Sequence, residues 1–213
     1  MTNALLLISI VAIAISYLRI ILIYLNTKDK RVDNITGFDL AKELTSNYNE
    51  INIVESKEVN ISKYNIKRRI IRFTRNNYEG NDIYTLSISA LLAGYSLLNI
   101  NKDKNLQLLG KILPSIDYLN KSSIIALLIS LFTNKAGDAK IALIILIIIL
   151  IYQYLINEIN ISSKEQTAKS LKKILKKDNY SLIEQVQNTF LTLNKISFIT
   201  TLILIIREVL III

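Results

Sequence analysis

Residues 4–25, ALLLISIVAIAISYLRIILIYL, decide how the rest of the chain is read. The run is apolar throughout except for Arg19, and at 1.5 Å per residue it is long enough to cross a ~30 Å hydrocarbon core as a helix. It reads as a membrane anchor rather than a cleaved signal peptide. A signal peptide carries a basic leading segment and a shorter apolar stretch, whereas only Met1, Thr2 and Asn3 precede Ala4. Lys28, Lys30 and Arg31 follow at once, and the positive-inside rule then puts the N-terminus outside and the next segment in the cytoplasm.

Composition agrees with a membrane protein: 51% of residues are hydrophobic, well matched to insertion in a lipid core. The net charge of +9 is explained most simply by lysines and arginines on the inner side of the membrane. Histidine and cysteine are both absent. That removes Ser-His-Asp and Cys-His catalysis, which need a base titrating near neutrality, and leaves zinc without imidazole or thiolate donors. Isoleucine, asparagine, lysine and tyrosine are abundant, a bias that resembles an AT-rich bacterial genome and weakens arguments from lysine count.

Further along, Thr36 to Leu44 reads as a capped helix, with Thr36 or Asn34 as the cap and Phe38, Leu40, Ala41 and Leu44 as the apolar stripe. Ile51 to Val54 reads as a strand. Turn-like residues from Ser62 to Asn65 precede a second strand, Lys67 to Phe73, on which Lys67, Arg69 and Phe73 alternate with Arg68, Ile70 and Arg72. Asp82 to Asn99 is a long helix, apolar nearly all round and so expected to be buried. A second crossing is expected over Ile116 to Thr133, with Asp117 and Lys121 paired on one helix face. Asn134 to Ala139 forms the outer turn, and Ile141 to Ile156 returns the chain. Six lysines follow between Lys164 and Lys177, and a last crossing runs from Ile196 to Ile213. Arg19 and Arg207, each near a span end, are expected to snorkel toward headgroups; the sharper alternative is that Arg19 pairs with Asp117.

The expected fold class is therefore an α-helical membrane protein of about four transmembrane helices with a small α+β cytoplasmic domain. Its parts are an N-terminal anchor (1–25), the α+β domain (26–111), a transmembrane hairpin (112–157), a cytoplasmic helical segment packing on that domain (158–194), and a C-terminal transmembrane helix (195–213).

Taken in order, these pieces resemble the YugP-like family of bacterial membrane zinc metallopeptidases, also called neutral zinc metallopeptidases. Thr36, Gly37 and Ala41 match a Thr-Gly-x-x-x-Ala helix; Ser62-Lys63-Tyr64-Asn65 keeps the Tyr of an Asp-His-Tyr-Asp turn; Lys67 to Thr74 matches a basic strand; and Tyr78-Glu79-Gly80 resembles Tyr-x-Gly. Glu158 to Ser162 is similar to a Glu-Phe-Asp/Asn-Ala-Ser segment, and Arg207 to an arginine of the last span. The resemblance implies a zincin-like cytoplasmic domain and a His-Glu-x-Gly-His zinc motif on the long helix. Leu91-Leu92-Ala93-Gly94-Tyr95 stands at that place.

In the family motif, histidines at i and i+4 share one zinc and the glutamate activates its water. Leu91 and Leu92 have no donor atom, Tyr95 is a poor ligand, and Glu158, at the position of a family ligand, is an orphan. The chain is thus expected to be no enzyme but a catalytically inactive relative, a pseudopeptidase without zinc or other cofactor. As a scaffold or regulator it would bind membrane proteins or peptide segments. The alternative is a four-span structural or transport-associated subunit whose cytoplasmic part binds anionic lipid through Lys67, Arg68, Arg69, Arg72 and Arg75. Expected partners are the bilayer and other membrane proteins, not nucleic acid; the expected location is a bacterial inner membrane, with the main polar domain cytoplasmic.

Overall fold

The structure, a computed structural model, describes residues 2–119, 121–133 and 135–213. In chain order its elements are α1 (Thr2–Thr27), α2 (Gly37–Leu44), β1 (Asn52–Glu55), β2 (Lys63–Asn65), β3 (Ile70–Phe73), α3 (Arg75–Glu79), α4 (Ile83–Ile100), α5 (Lys104–Ile112), β4 (Ser115–Asp117), α6 (Ser122–Phe132), α7 (Ala136–Ile174) and α8 (Lys177–Ile212). The chain divides into two compact units. One takes the residues up to Ile21, Leu119–Asn157 and Leu191–Ile213; the other takes Leu22–Tyr118 and Glu158–Phe190.

The first unit is helical and apolar on its outside. Leu7, Ile15, Phe132, Ile144, Ile148 and Ile206 are all exposed on it. Its centre is an apolar cluster of Ala126, Leu146 and Leu204, with Leu6 packed against it, so α1, α6, α7 and α8 all reach the same layer. Large exposed aliphatic faces around a packed interior are what hydrocarbon, not water, selects.

The second unit is an α+β domain. Its sheet has the order β1-β3-β2-β4, with β1 parallel to β3 and the other pairs antiparallel. Tyr64 on β2 pairs in register with Ile71 on one side and Ile116 on the other, and all three are buried. Asn99 of α4 ties the helix to this sheet, its Nδ2 donating to the Tyr64 hydroxyl at 2.7 Å and to the Ile66 carbonyl at 2.8 Å. Burial pushes the Tyr64 hydroxyl up to about 12, against the pull of the Asn99 hydrogen bond.

Local chemistry sets several element starts. Thr36 caps α2 in a reciprocal box, its Oγ1 accepting from Asp39 N at 3.2 Å while Asp39 Oδ2 accepts from Thr36 N at 3.1 Å. Asn34, the other candidate cap, sits instead at φ 63°. Gly37 is required by closeness: a Cβ there would lie 2.0 Å from the Asn77 carbonyl oxygen and 2.6 Å from Ser89 Oγ. Asp82 caps α4, its Oδ1 accepting from Thr85 N at 2.9 Å.

Four expectations are corrected. The basic strand is shorter than Lys67–Phe73, because Lys67 to Arg69 form the β2–β3 hairpin loop. Arg68 N donates to Asn65 Oδ1 at 2.8 Å and Arg69 takes φ 55°, so the alternation across these residues does not exist. Lys63 to Asn65 are not a turn but a central strand, held from both sides. No helix runs from Ile116 to Thr133. Ser115 to Asp117 pair with β2 after Pro114, which places Asp117 in the sheet while Lys121 precedes α6, so the two do not share a helix face. Asn134, in the expected outer turn, and Asn120, inside the expected second span, lie outside the described residues.

The count of about four spans is also revised. Among the described residues three helices are long and apolar enough to cross a membrane, namely α1, α4 and α7. Of these, α4 has 89% of its most apolar window buried within the protein, as the all-round apolar pattern predicts for a domain core. Helix α6, with 11 residues, rises only about 16 Å. The second half of α8 carries Lys195, Arg207 and Glu208.

Candidate functional site

Residues 91–95 lie in the middle of α4, where Leu91, Leu92 and Tyr95 are at most 2% exposed. Two hydrogen bonds join this stretch to α7. The Tyr95 hydroxyl donates to Asn160 Oδ1, and Ser163 Oγ donates to the Leu91 carbonyl at 2.8 Å. Between them the helices come into backbone contact at Gly94, where a Cβ would lie 2.1 Å from Ser163 Oγ and 2.5 Å from the Ser163 carbonyl oxygen. Any side chain at 94 would force the two helices apart.

Glu158 is near this contact in sequence but not part of it. The face of α7 that meets α4 carries Asn160 and Ser163, one turn apart, and Glu158 lies about 200° around the helix from Asn160. It is partly exposed, whereas Ile159 and Asn160 are buried. The helix carrying Leu91 therefore packs on the segment that begins with Glu158, but through different residues.

A zinc ion does not fit this arrangement. Leu91 and Leu92 present only carbon, the Tyr95 hydroxyl and Asn160 amide are already bonded to each other, and Ser163 is engaged with a backbone carbonyl. Among the described residues no group of three His, Cys, Asp or Glu side chains converges anywhere. What stands at residues 91–95 is a satisfied polar cross-link that holds two helices together.

The basic residues expected to meet lipid are dispersed. Lys67 and Arg68 are exposed in the hairpin loop, Arg69 is ion-paired with Glu50, Arg72 lies on β3, and Arg75 pairs with Glu79 across one turn of α3 at 3.3 Å. Arg19 is exposed on α1. Arg207 does not snorkel. It is 4% exposed and donates to the carbonyls of Ser130 at 2.9 Å and Thr133 at 3.3 Å, capping the C-terminal end of α6. Glu208, fully buried, pairs with it at 2.6 Å.

Sequence reasoning missed an open polar cleft of about 670 Å³ in the α+β unit. Lys28 and Arg31 line it together with Ser62, Asn77, Tyr84 and Tyr118. Ser62 is its fixed point, accepting from Thr74 N at 2.9 Å and Asn77 Nδ2 at 2.8 Å. Burial raises the Tyr118 hydroxyl above the ordinary tyrosine range. Like Asn77, Asn76 and Asn81 line it, and nothing in their local sequence marked a cleft. The cleft opens at the N-terminal end of α4, about two turns before Leu91.

A family model described as "Putative neutral zinc metallopeptidase" matches residues 2–211. No curated protein and no solved structure matches the chain.

Proposed function

The chain belongs to the neutral zinc metallopeptidase family, and from that membership we propose that it is a catalytically inactive member, a pseudopeptidase acting as a membrane-held scaffold or regulator. The observation that carries this reading is the Tyr95–Asn160 hydrogen bond beside Gly94, which occupies the place where the family motif sets its ligands. The sequence adds that neither histidine nor cysteine exists to replace them. A zincin-like ancestry is supported by a small sheet beside a long central helix that carries the degenerate motif.

In this reading α1, α6, α7 and α8 form the membrane part. Support comes from their exposed aliphatic faces and their shared apolar layer. Lys28, Lys30 and Arg31 favour a cytoplasmic α+β unit with the N-terminus outside, in a bacterial plasma membrane as the family resemblance implies. The partner is a membrane protein or peptide segment, and the polar cleft lined by Lys28, Arg31 and Tyr118 is where it would be taken up.

Chelation tests the inactive reading, because a zinc bound only by the folded chain stabilises it by mass action. The unfolding midpoint of the detergent-purified protein is expected to be the same with EDTA and with added zinc. A fall in EDTA that zinc reverses would overturn the proposal.

A further inference from the structure

Buried polar side chains line the interior of the helical unit at heptad spacing. On α8 the buried positions Asn194, Ser197, Thr201, Leu204 and Glu208 recur every three or four residues. Several have no hydrogen-bond partner: both amide atoms of Asn194, Ser197 Oγ and Thr201 Oγ1, joined by Ser123 Oγ on α6 and Gln153 Oε1 on α7. All five of these side chains are at most 1% exposed. Hydroxyls on such helices ordinarily bond back to the carbonyl four residues earlier, as Thr200 does to Ile196 at 2.7 Å and Ser16 to Ala12 at 2.7 Å. Ser197 and Thr201 do not.

These groups share one side of the apolar layer formed by Ala126, Leu146 and Leu204. Arg207 reaches the Ser130 and Thr133 carbonyls, which fixes the α6 end and the end of α8 on the other side. Gln153 Nε2 donates to Ser122 Oγ at 3.0 Å, which fixes the opposite direction along α6 and α7. Moving from Leu204 to Asn194, from Ala126 to Ser123 and from Leu146 to Gln153 is therefore moving the same way. On this side of the layer the unpaired groups named above are amides and hydroxyls alone, whereas Ser130 Oγ, Arg207 Nε and Glu208 Oε2, also unpaired, lie on the other side.

Left dry, each orphaned group costs about 1–3 kcal/mol, and so many together are not tolerated in one small bundle. Amides and hydroxyls at this spacing offer the two to four partners that an enclosed water needs. We infer that this tier is a hydrated, uncharged pocket inside the membrane unit, a site for ordered water and for small neutral hydrogen-bonding solutes, closed on one side by the Ala126–Leu146–Leu204 layer. It is separate from the degenerate motif, and its existence does not depend on whether the protein is an enzyme.

The chain has no cysteine, so single cysteines report local water directly. Ser197→Cys and Thr201→Cys, probed in membranes with a small water-soluble methanethiosulfonate, are expected to react about tenfold faster than Leu204→Cys in the apolar layer or Ile199→Cys on the outer face, because only a hydrated thiol ionises. Equal rates at all four positions would overturn the inference. Thr201→Val gives a second readout that does not rely on labelling. Removing a dry orphan raises the unfolding midpoint, whereas removing a hydrated hydroxyl leaves it unchanged or lowers it, and a clear rise counts against the pocket.

Discussion

The two units treat buried polar groups in opposite ways. In the α+β unit they are cross-linked: Tyr95 to Asn160, Ser163 to Leu91, Asn99 to Tyr64 and Ile66. Among its described residues only Gln187 Nε2 is buried without a partner. The helical unit holds the other orphans, from Ser123 to Glu208. Where α4 meets α7, one Tyr, one Asn and one Gly suffice to close the packing. Helices that keep amides and hydroxyls at heptad positions without pairing them keep something else there instead.

Arg207 gives the largest expected effect, because it sets the boundary of the orphan-rich unit. Arg207→Met leaves Glu208 buried and uncompensated and removes the donor to the Ser130 and Thr133 carbonyls, so chemical denaturation in detergent should show a loss of about 3–5 kcal/mol. Adding Glu208→Leu should recover most of it. If the single variant is neutral, Glu208 is not held in a dry layer and the contrast between the units fails.

Next is Gly94, where α4 and α7 approach most closely. Gly94→Ala should lose about 1–3 kcal/mol by overpacking against Ser163, despite the ~1 kcal/mol that helix propensity returns. Gly137, where a Cβ would meet nothing within 4 Å, supplies the control, since Gly137→Ala should be neutral or slightly stabilising.

Tyr64 sharpens the comparison by pH. Its hydroxyl is an acid held protonated by burial, at about 12 in the folded chain against an ordinary 10. Between those values the folded chain keeps a proton that the unfolded chain has released, so this contribution is complete below pH 10 and is lost as pH rises through 12. The linkage is worth on the order of 2 kcal/mol. Tyr64→Phe should flatten the alkaline arm of the stability profile. The smallest effect is expected at Tyr95→Phe, which orphans Asn160 Oδ1 at a cost of about 1–2 kcal/mol, most of it restored when Asn160→Leu is added.

Much of the α+β unit was legible beforehand because its signals are local. The Thr36–Asp39 box and the Asp82 cap announce α2 and α4, and the nearly all-round apolar pattern of α4 announces its burial. The short strands were not legible, since Lys63 to Asn65 and Ser115 to Asp117 owe their conformation to partners distant in sequence. The polar residues after Asn157 read as the end of a span, yet α7 continues to Ile174 because Lys, Glu and Gln are good helix formers. At residues 91–95 the lack of donor atoms was plain in Leu91 and Leu92. The replacement partner was not, because Asn160 carries no sequence mark of reaching Tyr95.

Zinc content measured by mass spectrometry on the detergent-purified chain is the most direct test of the central claim, run beside Glu158→Ala and beside the triple variant Leu91→His, Leu92→Glu, Tyr95→His. The account predicts no stoichiometric zinc in the natural chain or in Glu158→Ala, whatever the triple variant recovers. Stoichiometric zinc in the natural chain that disappears in Glu158→Ala would contradict it and return the chain to the ranks of metal-binding peptidases.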